Sequence, residues 1–186
     1  MRKNLKPKAY IYPLPVLIIG TFDENGTPNA MNAAWGTVSD TAEVTLVLSA
    51  THKTVKNILK NKAFTVAMAD VNNIVPADFV GMVSANNIPN KLDKTGWKII
   101  KSDFINAPII DDLPLSLECE LVSYDMETEK CVGKVVNVSV KEEILDGKDK
   151  VDLDKFKPLC YDCDGHGYYV LGERVGSAFF DGLKLK

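Results

Sequence analysis

Short apolar runs separated by tight turns dominate this chain, and that spacing leaves little room for anything but an antiparallel β architecture. Val16-Leu-Ile-Ile-Gly-Thr-Phe22 is followed by Asp23-Glu-Asn-Gly26 and a second extended run from Thr27. Asn-Gly supplies the positive φ angles a hairpin needs, so the order predicts strand, turn, strand. Val44-Thr-Leu-Val-Leu48 and Phe64-Thr-Val-Ala-Met68 are further strands, with Val55, Ile58 and Leu59 at helical spacing between them. Leu115-Ser-Leu-Glu-Cys-Glu-Leu121 alternates apolar with polar, and Val132-Gly-Lys-Val-Val-Asn-Val-Ser-Val140 nearly does. Across the turn Asp125-Met-Glu-Thr-Glu-Lys130 they form a second hairpin. Residues 141–157 read as a solvated loop with a short helix, and Tyr168-Tyr-Val-Leu171 as a late strand. A parallel α/β sheet would need long helices between successive strands. The expected fold is therefore mainly β, a barrel with a few short helices.

The 186 residues fit one domain, 1–186, with no repeat and no interdomain linker. A chain of that size buries roughly 70% of its unfolded surface. Its 46% apolar and 25% charged content is that of a folded, soluble protein. A net charge of −3 gives no electrostatic footprint for nucleic acid or an anionic membrane. The basic start Met1-Arg-Lys-Asn-Leu-Lys-Pro-Lys8 ahead of Ile11-Tyr-Pro-Leu-Pro-Val-Leu-Ile-Ile-Gly20 superficially imitates a signal peptide. Two prolines interrupt that apolar stretch and it runs straight into a polar turn, so the expectation is a cytoplasmic protein without a membrane span. Cys160-Tyr-Asp-Cys163, with His166 three residues on, has the spacing of half a zinc site or of a redox pair. No second C-x-x-C accompanies it, and Cys119 and Cys131 fall in strand-like segments, so unpaired thiols are the competing reading.

Residues 29–57 hold the pattern that points to chemistry. Lys53 stands in the first turn of the expected helix, where the macrodipole disfavours a cation by about 0.3–1 kcal/mol. A bound anion would compensate, sharing the free N–H groups of residues 51–54 with Lys53 and the hydroxyls of Ser49, Thr51 and Thr54. The alternative is an ordinary N-cap by Thr51 or Thr54, with Lys53 in water. Just upstream, Asn32-Ala-Ala-Trp35 offers small side chains, approachable main chain and an amide to a flat ring, with Trp35 as a wall. Equally, Ala30, Ala33 and Ala34 can pack on a neighbouring strand with Trp35 in the core. Residues 71–94 form a long connection containing Phe79-Val-Gly-Met-Val83, a short helix or strand, and offer a wall or lid to such a site. No Walker Gly-Lys-Ser, G-x-G-x-x-G or H-E-x-x-H occurs, which argues against P-loop, Rossmann and zincin chemistry. Asp111-Asp112 reads as turn punctuation.

In order, Pro15-Val-Leu-Ile-Ile-Gly-Thr21, Pro28-Asn-Ala-Met-Asn-Ala-Ala-Trp-Gly36, residues 49–57, Phe64-Thr-Val66 and Tyr168-Tyr-Val-Leu-Gly-Glu-Arg-Val-Gly176 resemble the flavin reductase-like family, in particular its flavoredoxin branch. The resemblance implies an FMN-binding split β-barrel and a homodimer with flavin near the interface. It places Asn32, Ala33, Ala34 and Trp35 along the flavin ring and ribityl chain. Ser49, Ala50, Thr51, Lys53, Thr54 and Asn57 would surround the phosphate, with His52 beside them. Relatives often carry arginine at Lys53 or His52, so a point charge here replaces a bidentate fork. Gly81-Met-Val-Ser-Ala85 departs from the family at Ala85, where a glycine is usual, and Tyr168 and Tyr169 match a late aromatic pair able to cover the flavin. The implied activity is an FMN-dependent oxidoreductase passing electrons from NAD(P)H to flavin, ferric iron or a redox partner protein, with no catalytic side chain required. The alternative is a flavoredoxin-like electron-transfer protein that holds FMN without its own nicotinamide reductase activity.

Overall fold

The computed structural model describes residues 1–186. Twelve strands and three α-helices alternate with short 3₁₀ turns. The strands are β1 (Leu14–Pro15), β2 (Leu17–Phe22), β3 (Pro28–Ala33), β4 (Gly36–Asp40), β5 (Glu43–Val47), β6 (Ala63–Met68), β7 (Ile99–Lys101), β8 (Pro108–Ile110), β9 (Leu115–Tyr124), β10 (Lys130–Val140), β11 (Leu159–Asp162) and β12 (Gly167–Val170). The helices are α1 (Lys53–Asn61), α2 (Ile74–Met82) and α3 (Leu153–Phe156).

Seven strands form one antiparallel sheet in the order β3-β2-β6-β9-β10-β5-β4, curled into a half-barrel. Its longest pair is the hairpin β9–β10, where two register shifts, at Val132/Gly133 and Val135/Asn137, bend the ladder. The small sheets β1-β11-β12 and β7-β8 stand beside it. β2 is buried on both faces. Val16 and Ile18 join the core beneath α2 with Ala30, Ala77 and Val80, while Leu17 and Ile19 join the barrel interior with Leu46, Ile58 and Phe64. An apolar run without alternation is the sequence form of such a strand.

Both expected hairpins are present, as are the strands at 44–48 and 64–68 and the helix between them, within a residue or two. The first turn differs in detail. Only Gly26 has positive φ, at 80°, and Asn25 does not. Asp23 replaces the second left-handed residue: its carboxylate accepts from the N–H of Asn25 at 2.8 Å and of Thr27 at 2.9 Å. Residues 71–94 are more ordered than their composition suggests, containing α2 and the 3₁₀ turn Lys91–Lys94. The N-terminal segment is tied to the β11–β12 turn by Tyr12, whose hydroxyl donates to Asp162 at 2.8 Å, and by the ion pair Lys8–Asp164. No helix is long and apolar enough to cross a membrane.

Candidate functional site

β3 is an edge strand of the large sheet, and α2 packs along it. The contact depends on Gly81, where an added Cβ would stand 3.0 Å from the Asn32 Cβ. Two cavities open on this seam. One, of about 330 Å³, is lined by Asn32, Ala33 and Ala34 from the β3 side, Asp78, Gly81 and Met82 from α2, and Tyr161, His166 and Tyr168 from the β11–β12 hairpin. The other, of about 170 Å³, lies between Asn29, Met31 and Asn32 of β3, the start of α1 at His52, Lys53 and Thr54, and the end of α2 with Ser84, Ala85 and Lys91. Asn32, Gly81 and Met82 line both, so the two cavities adjoin along this seam and together make a groove with chemically different ends.

The smaller end is built for negative charge. α1 starts at Lys53 behind His52, whose side chain makes no capping hydrogen bond, and its first turn holds no acid. The uncapped N–H groups and the positive end of the helix therefore face the groove together with Lys53. Neither Thr51 nor Thr54 is the N-cap. Thr54 is buried and accepts from the Asn29 amide at 2.8 Å. The nearest acids lie outside the cavity lining: Asp23 and Glu24 feel the Lys53 charge, and Glu24 pairs with Lys60 at 3.0 Å. Asn29 is 3% exposed, and its Oδ1 has no hydrogen-bond partner. Turning the amide over would leave the nitrogen unpaired instead, so in either orientation one buried polar atom of Asn29 has no partner.

The larger end is flat and partly aromatic. Tyr168 donates to the Asp78 carboxylate at 2.7 Å, and its phenol is pushed up to about 12 by burial and by that carboxylate. The Tyr161 hydroxyl and His166 Nδ1 are 3.0 Å apart. Asn32 donates to the Ala77 carbonyl at 3.0 Å, which fixes its amide across the seam and leaves its oxygen free to accept. Ala33 and Ala34 add no bulk above the main chain.

The structure brings together Asn32, Ala33, Ala34, His52, Lys53 and Thr54 of the residues expected from sequence. Ser49, Ala50 and Thr51 form the turn before α1 and do not line the groove. Ser49 and Thr51 hydroxyls lie 3.2 Å apart, and the Ala50 N–H donates to Glu129 at 3.1 Å. Asn57 is buried one helical turn further on and donates to Thr21 at 3.0 Å, so it braces the site from behind. Trp35 is neither wall nor core: it lies past the end of β3, 65% exposed, outside the lining. Of the late aromatic pair, Tyr168 faces the groove and Tyr169 points the other way, as strand alternation requires. Asp78, Lys91 and Tyr161 carried no local signal, while Asn29, Gly81 and His166 stood in motifs that were read for other reasons. The connection 71–94 supplies one wall of the groove, through Asp78, Val80 to Ala85 and Lys91. At the C-x-x-C, Cys160 and Cys163 are free thiols, His166 is engaged with Tyr161, and no three His, Cys, Asp or Glu side chains converge as a metal-ligand set.

A long ligand with a planar end and an anionic end fits this donor set. Comparison with known proteins bears on which ligand that is. The model of the flavin reductase-like domain matches residues 9–166. The chain belongs to the flavin reductase-like family. Flavoredoxin of Desulfovibrio vulgaris (Miyazaki F) is similar to this flavin reductase-like chain over 98% of its length and 100% of the flavoredoxin, with 27% identity and a TM-score of 0.93. Flavoredoxin from Methanosarcina acetivorans shares the fold over the full length of both chains, with 24% identity and a TM-score of 0.89. The half-barrel and its small flanking sheets are thus the family's split barrel. An uncharacterised protein of Aquifex aeolicus is 26% identical over 160 residues, 80% of each chain. Another, of Aeropyrum pernix, is 30% identical over 156 residues, which are 81% of this chain and 58% of that protein.

Proposed function

We propose that the groove binds FMN and that the chain is an FMN-dependent oxidoreductase, taking electrons from NAD(P)H and passing them to free flavin, ferric iron or a redox protein. The observation that carries this reading is that two adjoining cavities share Asn32, Gly81 and Met82, one at the uncapped start of α1 and the other at the alanine and tyrosine surface of Ala33, Ala34 and Tyr168. Lys53 and the first-turn N–H groups of α1 would hold the phosphate, Asn29 and Asn32 the polyol, and Ala33, Ala34 and Tyr168 the ring. When bound, FMN supplies the hydride and electron chemistry. The chain's own residues bind, orient and limit access of water. Tyr168 is held by Asp78 in its protonated form, so it offers its ring face and no charge. The main chain at Ala33 and Ala34 is free to meet the hydrogen-bonding edge of the ring closely.

A second reading has its own support: the whole-chain likeness to a flavoredoxin, at a TM-score of 0.93, suits an electron-transfer protein without a nicotinamide site. Absorbance of the purified protein with added FMN, before and after anaerobic NADH and then NADPH, separates the two. Loss of the flavin band near ~450 nm, a property of the cofactor itself, marks a reductase and names its donor. Bound flavin that neither nucleotide reduces selects the flavoredoxin-like reading, and absence of binding removes both.

We further propose a homodimer. The arm following β12 leaves Val175 fully exposed, Phe179 96% and Leu185 94%, and a second copy of the chain would cover these side chains.

A further inference from the structure

The two ends of the groove differ in charge. His52, Lys53 and Lys91 line the smaller end, and no carboxylate lies in its wall. Asp78 is the one carboxylate in the wall of the larger end, and no lysine or arginine stands there with it. It comes from the second turn of α2, is half-buried and forms no ion pair. Its side chain accepts one hydrogen bond, from the Tyr168 hydroxyl at 2.7 Å. That phenol stays a neutral donor, because burial and the carboxylate push it up to about 12. A neutral donor orients the carboxylate and leaves its charge in place.

One reading of Asp78 is a pin that ties Tyr168 to α2 and nothing more. An asparagine carbonyl would accept the same bond without bringing a charge beside a cavity, so the pin by itself does not call for an acid. What the charge faces does. Asp78 shares the larger end with Asn32, Ala33 and Ala34, the strand residues assigned above to the flavin ring and polyol. A flavin ring gains negative charge on reduction, and a fixed charge near it is one of the levers by which a protein tunes it. A carboxylate there raises the free energy of the reduced form above that of the oxidised form, more so when partly withdrawn from water. His166, the other ionisable side chain of this end besides the tyrosines, is exposed, with its Nδ1 3.0 Å from the Tyr161 hydroxyl, so solvent screens it. We infer that Asp78 sets the reduction potential of the bound flavin, its carboxylate making that flavin a stronger reductant than a neutral side chain would. On the flavin reading of the groove, on which this rests, the cationic end holds the phosphate alike in both oxidation states and the acidic end distinguishes them. Tyr168 is then a positioning residue that keeps the carboxylate in the wall.

The test measures the flavin midpoint potential of the FMN-loaded full-length chain, of Asp78→Asn and of Tyr168→Phe, by anaerobic titration against a reference dye at one pH. Asparagine keeps the shape and the acceptor for Tyr168 while removing the charge. Asp78→Asn should shift the balance toward reduced flavin by about tenfold, which is a rise of about 30 mV for a two-electron couple. Tyr168→Phe keeps the charge, so it should raise the potential less or not at all. An unchanged or lowered potential in Asp78→Asn overturns the inference. So does a rise as large in Tyr168→Phe, which would make the hydrogen bond and not the charge the cause. Should Asp78→Asn fail to fold, Asp78→Ser carries the same expectation and the same refutation. Wild-type chain that binds no FMN removes the groove reading as well, whereas bound FMN whose potential is indifferent to Asp78 overturns this inference alone.

Discussion

Asn29 and Lys91 show how much of this site depends on single atoms, and each carries a prediction that separates binding from folding. Lys53→Ala should weaken FMN binding by about 1.5–3 kcal/mol, through loss of a charge-assisted hydrogen bond, and barely move the urea midpoint, because Lys53 is partly exposed, forms no ion pair and reaches Asp23 and Glu24 only through screened charge. A flavin titration that matches wild type would exclude Lys53 from the phosphate end. Thr54→Ala behaves differently. It removes the acceptor for the Asn29 amide in a buried pocket, so stability itself should fall by about 1–3 kcal/mol along with affinity. Lys91 also predicts a pH dependence of the flavin-free protein. Its folded pKa, about 8, lies below the ordinary 10.5, so the unfolded chain binds more protons between those values and stability rises with pH across that window. Cys119 and Cys131 act in the opposite sense. Their thiols are pushed up to about 12 by burial, so the folded chain keeps protons the unfolded one has lost, and stability falls as pH rises above about 9. The difference in unfolding free energy between wild type and Lys91→Met, measured from pH 7 to 10.5, cancels the thiols and should grow in favour of wild type above pH 8. A flat difference would mean that the ammonium is not strained.

At the scale of elements, what was legible in the sequence was whatever local chemistry decides. Both hairpins and α1 could be read because alternation, turn residues and 3.6-residue spacing act within a dozen positions. α2 could not. Ile74-Val-Pro-Ala-Asp-Phe-Val-Gly-Met82 is apolar nearly all round and contains a proline and a glycine, so it shows no polar face. Pro76 is harmless in the first turn, where no N–H is needed, and Gly81 is the point of contact with β3. The strands β7 and β8, three residues each, are too short for alternation to appear. The groove was half legible for the same reason: residues 29–57 are contiguous, while Asp78, Lys91, Tyr161 and His166 arrive by packing of α2 and the β11–β12 hairpin against β3. Two glycines test this division. Gly81→Ala places a Cβ 3.0 Å from Asn32 and should push α2 off β3 by a few tenths of an ångström, lowering flavin affinity more than stability. Gly133→Ala places a Cβ 2.3 Å from the Phe64 ring inside the barrel and should cost about 1–3 kcal/mol of stability, with flavin affinity retained in the fraction that folds. Thermal unfolding beside flavin titration distinguishes them, and the reverse pattern would show that the α2–β3 seam does not shape the groove.

For the whole molecule the question is what the C-terminal arm does. After β12 the chain leaves the barrel, and residues 171–178 frame a cavity of about 850 Å³ against Val151, Asp152, Leu153 and Asp154. Val175, Phe179 and Phe180 lie largely in water in a single copy. Burying them returns roughly 1.5–3 kcal/mol per large side chain, which an isolated subunit forgoes and a dimer recovers. The arm leaves β12 at Val170, two residues beyond Tyr168, which pairs with Tyr161, so an arm exchanged between subunits would pass beside the aromatic end of the groove and restrict solvent there. Removal of residues 175–186 should therefore convert a dimer to a monomer in sedimentation equilibrium, with the barrel's far-ultraviolet signature kept, because the arm contributes no strand to any sheet. Flavin affinity should drop in step with dissociation. A full-length chain that sediments as a monomer at micromolar concentration would leave the arm without a partner of its own kind, whereas a truncated chain that remains dimeric would move the interface onto the exposed faces of β4 and β10, where Val38, Val136 and Val138 also meet solvent.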